Sequence, residues 1–413
     1  MNYAVIGSAL YGNKGASAML ETLIHGIGSL DGEARFALLS LYPPQDTERN
    51  GFESLRIVPA SPIALVLAII PLCLLHRLFK PLRPWLIRRS QTVRALHQAD
   101  IYVDQCGISF NDGRLNFLIY NIAVLLPGLL MRLPVVKVAQ AIGPFESRLN
   151  RLAARTFLPR LHHIFARGSI TFSHIQSIGL TNVSQATDLA FAFPSIRKRH
   201  RSRTAPQEHC HSRPASVIGV APSAVAAGKA ARAGIDYVET LADFINTIVE
   251  RGHQVVLFSH SARPDSEREH NNDLPLCRAI HARLSYQNGC RLVDRELDTE
   301  SLRELTATFR CLVTSRFHAM VGAISEEVPC LVVGWSHKYS EVLSNFSLGD
   351  QAINYDKCQT EHLLRMFDRT LRNEPQIRSK ISAQLPEVRD LAFQQIGLIY
   401  KAAVEHAANR QPT

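Results

Sequence analysis

Short apolar runs of strand-like composition alternate with helix-like segments along both halves of the chain. This alternation is typical of parallel sheets, because the crossover between two parallel strands usually contains a helix. Helices are predicted over residues 18–27 and 237–251, and a glycine-rich loop over 7–15. The predicted strands are residues 3–6, 35–41, 99–103, 135–139 and 164–166 in the first half, and 216–220, 254–259, 311–314 and 331–333 in the second.

The repeated pattern predicts two α/β domains, each a doubly wound parallel sheet, facing a cleft. A chain of 413 residues is long enough for two separate cores. We predict an N-terminal domain over residues 1–194, a basic linker rich in Pro, Ser and His over 195–214, and a C-terminal domain over 215–384. A last helix over about 385–408 has no evident place in the second sheet.

The composition limits the classes of partner. Hydrophobic residues make up 46% and charged residues 20%, as in a globular protein. A net charge of +10 allows nucleic acid, an anionic membrane surface or an acidic ligand. No nucleic-acid-binding module is recognisable, so no nucleic-acid partner is predicted. Part of the basic excess lies in residues 197–203 and around 77–89, and such runs are usually solvated faces or linkers.

The cysteines and the N-terminus favour a cytoplasmic protein. The eight cysteines are scattered without a CxxC pair, which is typical of reduced thiols that pack as small hydrophobes. His209, Cys210 and His211 are consecutive and cannot converge on one ion without further ligands, so no metal site is predicted. The first residues run straight into a strand, and no export signal is visible.

Residues 62–75 are almost wholly apolar and are interrupted by Pro71. The run is shorter than the roughly 20 residues of a transmembrane helix, so it is not expected to span a bilayer. It has two interpretations, a buried helix of the first domain or a segment that docks on an anionic membrane at its inner face. The basic residues that follow it and a second apolar stretch at 119–131 suit the docking interpretation.

A histidine with cationic neighbours follows the predicted strand 311–314. Arg316 and His318 lie at the start of a small-residue helix, and Lys338 follows the strand 331–333. Ligands of open parallel sheets gather beyond the carboxyl ends of the strands, where helix N-termini favour anions. The arrangement indicates an acidic substrate, although a single histidine at such a junction is often a capping or packing group.

Several short motifs follow one another along most of the chain. They are Gly12-Asn13-Lys14-Gly15, residues 140–145 (QAIGPF), residues 166–169 (ARGS), residues 188–191 (DLAF) and residues 315–319 (SRFHA) with the downstream Lys338. In their order and spacing the chain resembles the polysaccharide pyruvyl transferase family. The resemblance implies a glycosyltransferase-B-like fold whose C-terminal helix, within 385–413, returns to the N-terminal domain. It also implies transfer of pyruvate from phosphoenolpyruvate to a sugar as a ketal, without any cofactor.

The resemblance implies that Arg167, His318 and Lys338 hold phosphoenolpyruvate on the side of the C-terminal domain. A guanidinium and an ammonium suit its carboxylate and phosphate, and a histidine that titrates near neutrality can act as the general acid/base. Arg316 is a second candidate for the anion site or, equally, a structural ion-pair partner. His260, after the strand 254–259, is a minor candidate for donor contact or a surface group.

The N-terminal domain is expected to bind the acceptor, a sugar or a lipid-linked oligosaccharide. The candidate residues are Asn13, Asp104, Gln105 and Asn111, although each could be a turn residue. Many relatives carry an acidic pair where this chain has Ala16 and Ser17, which puts the identity of the acceptor in doubt.

The loop 7–15 lacks a dinucleotide fingerprint, so no nicotinamide cofactor is predicted. Two other functions stay open: a glycosyltransferase that uses a nucleotide sugar, and a noncatalytic member that binds glycans.

Overall fold

The computed structural model describes residues 1–194, 217–266, 271–336 and 338–410. The chain divides into two compact units. The first comprises Met1–Tyr11, Ala16–Phe193 and Arg389–Thr413, and the second comprises Gly12–Gly15 and Pro194–Val388. The predicted linker and residues 209–211 lie outside the described residues, so the structure does not test them.

The first unit is built on a parallel sheet with the strand order β3-β2-β1-β4-β6-β7-β8, to which β5 adds beside β6. Helices cover the sheet, and the apolar side chains between the layers form the core of this unit. The strands are β1 (Asn2–Ile6), β2 (Arg35–Ser40), β3 (Leu55–Pro59), β4 (Ile101–Asp104), β5 (Ile108–Ser109), β6 (Val135–Ile142), β7 (His163–Arg167) and β8 (Val183–Ala186).

The second unit contains a parallel sheet with the order β11-β10-β9-β12-β13-β14 and has its own core. Its strands are β9 (Val217–Ala221), β10 (Gln254–Phe258), β11 (Cys290–Val293), β12 (Cys311–Thr314), β13 (Cys330–Gly334) and β14 (Ala352–Asn354). Two parallel-sheet α/β domains are therefore confirmed.

The helices lie between successive strands, as parallel pairing requires, except for the last two, which follow β14. In the first unit they are α1 (Lys14–Leu30, whose first two residues belong to the second unit), α2 (Pro43–Glu48), α3 (Pro62–Ala64), α4 (Ile70–Leu78), α5 (Arg83–Arg89), α6 (Gln91–Gln98), α7 (Leu118–Leu130), α8 (Arg148–Phe157) and α9 (Ser169–Ser177). In the second they are α10 (Ala224–Arg232), α11 (Tyr237–Glu250), α12 (Leu274–Ala282), α13 (Thr299–Ala307), α14 (Phe317–Ser325), α15 (Lys338–Ser344) and α16 (Thr360–Arg372), and α17 (Glu374–Arg410) contributes to both units.

The strand β6 shows why these sheets give strong sequence signals. All eight of its residues are buried, because helices cover both faces of a parallel sheet. The strand extends three residues beyond the predicted 135–139 and includes Gln140. The Gln140 side chain accepts a hydrogen bond from the Ser109 hydroxyl (2.7 Å) and donates one to the Asp104 carbonyl (2.8 Å), so its burial is compensated.

The segment 62–78 is helical, with a wider π-type winding over Leu65–Ile69 between α3 and α4. Pro71 lacks the N–H that a regular α-helix would direct at the carbonyl of Leu67, which accounts for the irregular winding before it. The cysteines in the described residues are free thiols, and all but Cys106 are buried.

Candidate active site

The carboxyl ends of β12 and β13 lie side by side, because these strands are parallel neighbours with Thr314 paired to Val332. Helix α14 begins at Phe317, three residues after β12 ends, and α15 begins at Lys338 after β13. Arg316, His318 and Lys338 thus lie at one edge of the second sheet. The start of α14 carries the partial positive charge of a helix N-terminus, which favours anions.

The Phe317 ring brings His318 and Lys338 together. The imidazole of His318 meets this ring edge-on, with 5.0 Å between centroids, and the Nζ atom of Lys338 lies 4.9 Å from its centroid. The same Nζ lies 4.6 Å from the Trp335 ring. The Tyr339 hydroxyl donates to the Ser315 carbonyl (2.8 Å), which ties the start of α15 to the turn before α14. A cation among aromatic rings beside a half-buried histidine can bind an anion and move a proton.

A cavity of about 410 Å³ lies beside Lys338, at the ends of β13 and β14. Trp335, Tyr339 and Tyr355 line it together with small and polar residues from both strand ends. The Nζ atom of Lys229 lies 5.5 Å from the Trp335 ring and 5.8 Å from the Tyr355 ring. Aromatic walls with two ammonium groups nearby suit a small anionic or sugar-like ligand.

Gly15 lies against His318 within the second unit. A Cβ atom at Gly15 would stand 1.9 Å from Nδ1 of the imidazole, so only glycine fits there without movement of the ring. Neighbouring contacts fix this loop: Asn13 bridges to Ser261, and Nζ of Lys14 forms a largely buried ion pair with Glu296 (2.6 Å). This contact was not predicted from the sequence, although the repeated glycine in residues 12–15 was a signal for it.

Arg316 is engaged in an internal ion pair. Its Nε and Nη2 atoms donate to the two carboxylate oxygens of Asp273, with Nε 2.6 Å from Oδ2. Asp273 is fully buried and also accepts from the N–H groups of Ala224 and Ser261. Burial opposes the charge of Arg316, but the Asp273 carboxylate outweighs burial and raises the pKa of the guanidinium. The geometry favours the structural role among the two that the sequence left open.

His260 follows β10 and is about nine-tenths buried. Burial, and then repulsion from His318, Arg316 and Arg303, holds its pKa well below 6.5. The imidazole is therefore neutral at physiological pH. It suits a hydrogen-bonding role better than attraction of an anion, and its contact with a donor stays a prediction.

Arg167 ends β7 in the first unit, whereas His318 and Lys338 belong to the second. Its Nη1 atom donates to Oδ2 of Asp188 (3.0 Å) and its Nη2 atom to the Gly107 carbonyl (3.1 Å). The side chain is 4% exposed. The predicted role of Arg167 in donor binding stays a prediction.

Internal contacts engage the predicted acceptor residues. Asp104 is fully buried and pairs with the equally buried Lys137, and Gln105 donates to the Met19 carbonyl (3.1 Å). Asn111 donates to the Gly143 carbonyl and accepts from the Gly113 N–H (3.0 Å), as in a turn. Asn13 is exposed and caps α1 through the Gly15 N–H (3.2 Å). The acceptor roles of all four stay predictions.

Among the described residues, no group of three or more His, Cys, Asp or Glu side chains is placed to hold a metal ion. That the reaction needs neither a metal nor a cofactor stays a prediction.

Two solved bacterial structures are similar to this chain in fold. Staphylococcus aureus MnaA, solved with UDP, matches with a TM-score of 0.61 at 12% identity over 100% of this chain and 99% of that one. UDP-GlcNAc 2-epimerase from Neisseria meningitidis matches with a TM-score of 0.61 at 10% identity over 97% of this chain and 100% of that one. These likenesses confirm a glycosyltransferase-B-like fold for the chain.

This chain also resembles two bacterial proteins in sequence. The amylovoran biosynthesis protein AmsJ of Erwinia amylovora is 22% identical over 273 residues, which are 64% of each chain. General stress protein 30 of Bacillus subtilis is 35% identical over 88 residues, 20% of this chain and 24% of the relative. The matches thus span less than two thirds of these relatives.

A model built from the sequences of one protein family matches most of the chain. Residues 13–337 fit the model named polysaccharide pyruvyl transferase. The match contains the loop around Gly15, β7 with Arg167, and the segment from β12 through β13, including His318. This chain belongs to the polysaccharide pyruvyl transferase family.

Proposed function

We propose that this protein transfers pyruvate from phosphoenolpyruvate to two hydroxyls of a sugar, as a ketal, in polysaccharide biosynthesis. The observation that carries the proposal is the placement of His318 and Lys338 around the Phe317 ring, at the starts of two helices. Membership of the family and the relationship to a protein of amylovoran biosynthesis support the substrate class.

Phosphoenolpyruvate matches the charge of this site. It carries a carboxylate and a phosphate, and Lys338, the start of α14 and Lys229 offer positive or partly positive groups. The cavity beside Lys338 is larger than a three-carbon donor needs, so part of the acceptor sugar can share it. Arg316 contributes by holding Asp273 and with it the turn before α14.

His318 is the general acid/base in this proposal. Protonation of the methylene carbon of phosphoenolpyruvate makes the adjacent carbon electrophilic, and one sugar hydroxyl attacks that carbon. Phosphate then leaves and the second hydroxyl attacks, so two C–O bonds to the sugar replace the enol double bond and the C–O bond to phosphate. The hydroxyls release two protons, one of which balances the methyl group while the other leaves with phosphate. An imidazole can deliver and collect these protons near neutrality.

The test uses the purified full chain with phosphoenolpyruvate and candidate sugar acceptors. We expect phosphate release together with an acid-labile mass gain of one pyruvyl ketal on the acceptor. The variant His318→Ala is expected to lose roughly 10²–10⁴-fold in turnover, as for removal of a general acid/base. His362→Ala, at a partly exposed histidine of the same unit, is the control and is expected to keep full turnover.

Binding of phosphoenolpyruvate is measured separately by calorimetry. Because a hydrogen bond to a charged group contributes about 1.5–3 kcal/mol, Lys338→Ala is expected to weaken binding roughly 10- to 100-fold. Lys357→Ala, an exposed lysine of the same unit, is the control. Full turnover in a folded His318→Ala variant, or unchanged donor affinity in Lys338→Ala, would overturn the assignment of these residues.

A second candidate function is sugar transfer from a nucleotide donor. The aromatic cavity with Lys229 and Lys338 nearby could also take a base and a diphosphate, and two structural neighbours are described with UDP or UDP-GlcNAc. Consumption of a UDP-sugar with glycoside formation, and no phosphate release from phosphoenolpyruvate, would favour this alternative.

A further inference from the structure

An apolar surface with basic residues around it lies on the helices between β3 and β4 and on α7 of the first unit. Its most exposed members are Ile63 and Leu67 (both 73%), Leu78 (63%), Phe79 (51%), Trp85 (54%) and Ile119 (75%). We propose that this surface, the docking face, binds to a lipid bilayer with anionic headgroups.

The helical segment 62–78 is apolar on both of its sides. Leu65, Ile69 and Cys73 point into the core of the first unit and are at most 4% exposed. A helix that only covers a core has polar residues on its outer side. Here the outer side carries Ile63 and Leu67 instead. Contiguous exposed apolar side chains of this kind mark an interaction site.

Helix α7 packs against α4 and extends the docking face with Ile119. Residues 112–130 are long and apolar enough to cross a bilayer by length and composition, a test that the core helix of a soluble protein also passes. Val124 and Leu125 of this segment are at most 1% exposed and belong to the core. Crossing a bilayer would remove them from it, so we infer that the helix lies at the membrane surface.

The charge of this region selects the kind of partner. The sequence has no Asp or Glu between Glu53 and Asp100, whereas Arg77, Lys80, Arg88 and Arg89 are exposed there. Basic residues beside an apolar surface bind anionic lipid headgroups, and a tryptophan such as Trp85 suits the headgroup region. A second copy of the chain is a less suitable partner than a bilayer, because pairing two docking faces would bring the basic residues of both copies together.

Flotation of the full chain with lipid vesicles tests the proposal. We expect binding to vesicles that contain phosphatidylglycerol, roughly tenfold weaker partition to pure phosphatidylcholine, and weakening as salt is raised. The double variants Ile63→Glu/Leu67→Glu and Arg88→Glu/Arg89→Glu are each expected to lower partition at least roughly tenfold. Leu30→Glu, at an exposed leucine (50%) at the end of α1, is the control and should bind as the wild type does.

All changed positions are exposed, so thermal unfolding of the variants should match that of the wild type. Equal binding to neutral and anionic vesicles would overturn the proposal, as would wild-type binding by a folded Ile63→Glu/Leu67→Glu variant. If that variant instead abolished a wild-type dimer in sedimentation and left vesicle binding unchanged, the docking face would belong to a second copy.

Discussion

Gly15 leaves no room for a side chain next to His318, and this contact gives a prediction at the scale of one residue. A Cβ atom there would overlap Nδ1 at 1.9 Å, so Gly15→Ala must displace the imidazole or the loop. A shift of about 1 Å at a reacting group can cost roughly 10²-fold in rate. We therefore expect Gly15→Ala to lower pyruvyl transfer by about that factor, measured as turnover at saturating phosphoenolpyruvate.

The matched control lies in the same helix. A methyl group added at Gly28 would meet nothing within 4 Å, and Gly28→Ala should leave turnover unchanged. It should also stabilise the helix by roughly 0.5–1 kcal/mol, because alanine has less backbone freedom to lose on folding. Wild-type turnover in Gly15→Ala would show that the position of His318 is not critical.

The sequence predicts which residues belong to the candidate site better than it predicts the contacts that those residues make. His318 and Lys338 are recognisable because each follows a predicted strand, and the structure brings both to the Phe317 ring. The pairs Lys14 with Glu296 and Arg316 with Asp273 are not predictable in this way. Their partners are far apart in the sequence, and their contact depends on how strands and loops pack. The same applies to Asp104, whose polar side chain at a strand end is buried against Lys137.

Among the elements, the inner strands of both sheets were predictable and the outer ones were not. The strands β3, β8, β11 and β14 lie at the sheet edges, and none of them was predicted from the sequence. Inner strands are buried on both faces and read as continuous apolar runs. An edge strand is covered less completely and tolerates polar residues and proline, as β3 does with Arg56 and Pro59.

The C-terminal helix α17 differs from its predicted bounds and contains a buried glutamine, Gln395. It begins at Glu374, earlier than the predicted 385, and continues through Pro386, although proline usually marks a helix boundary. Within the first unit its Gln395 accepts from the Ala139 N–H (3.1 Å) and donates to the Thr187 carbonyl (2.9 Å). This side chain is fully buried, so it satisfies two backbone groups that water cannot reach.

We expect Gln395→Leu to lower the free energy of unfolding by about 1–3 kcal/mol, because the buried N–H of Ala139 loses the acceptor that Gln395 provides and an unsatisfied buried group costs about that much. Urea titration followed by circular dichroism measures the change. The neighbouring Gln394 is exposed, and Gln394→Leu should stay within about 0.5 kcal/mol of the wild type. A loss below about 1 kcal/mol in Gln395→Leu would mean that other groups or water replace its hydrogen bonds.

For the whole molecule, a set of fully or partly buried histidines predicts loss of stability in mild acid. Burial is the main cause that lowers the pKa of several histidines in both units, to about 4 for His76. The others are His97, His163, His253, His260 and His406. Below pH 6.5 the unfolded chain binds protons that these folded sites do not, so unfolding becomes easier as the pH falls. The stability that the folded protein gains from keeping His76 neutral is fully present above pH 6.5 and is lost progressively towards pH 4.

Protonation of one buried carboxyl group, that of Asp46, has the opposite effect on the free energy of unfolding. Burial raises the pKa of Asp46 above its ordinary 3.8, so between 3.8 and the raised value acid favours the folded state at this site. One such group does not outweigh six histidines, and we expect the unfolding temperature in calorimetry to fall steadily from about pH 7.5 to about pH 5.

The variant His76→Gln tests this explanation. It removes one of the groups whose protonation favours unfolding, so the unfolding temperature of the variant should depend less on pH than that of the wild type. If stability were constant or rose over that range, burial would not keep these imidazoles neutral, and the neutral state assigned to His260 beside His318 would lose its support.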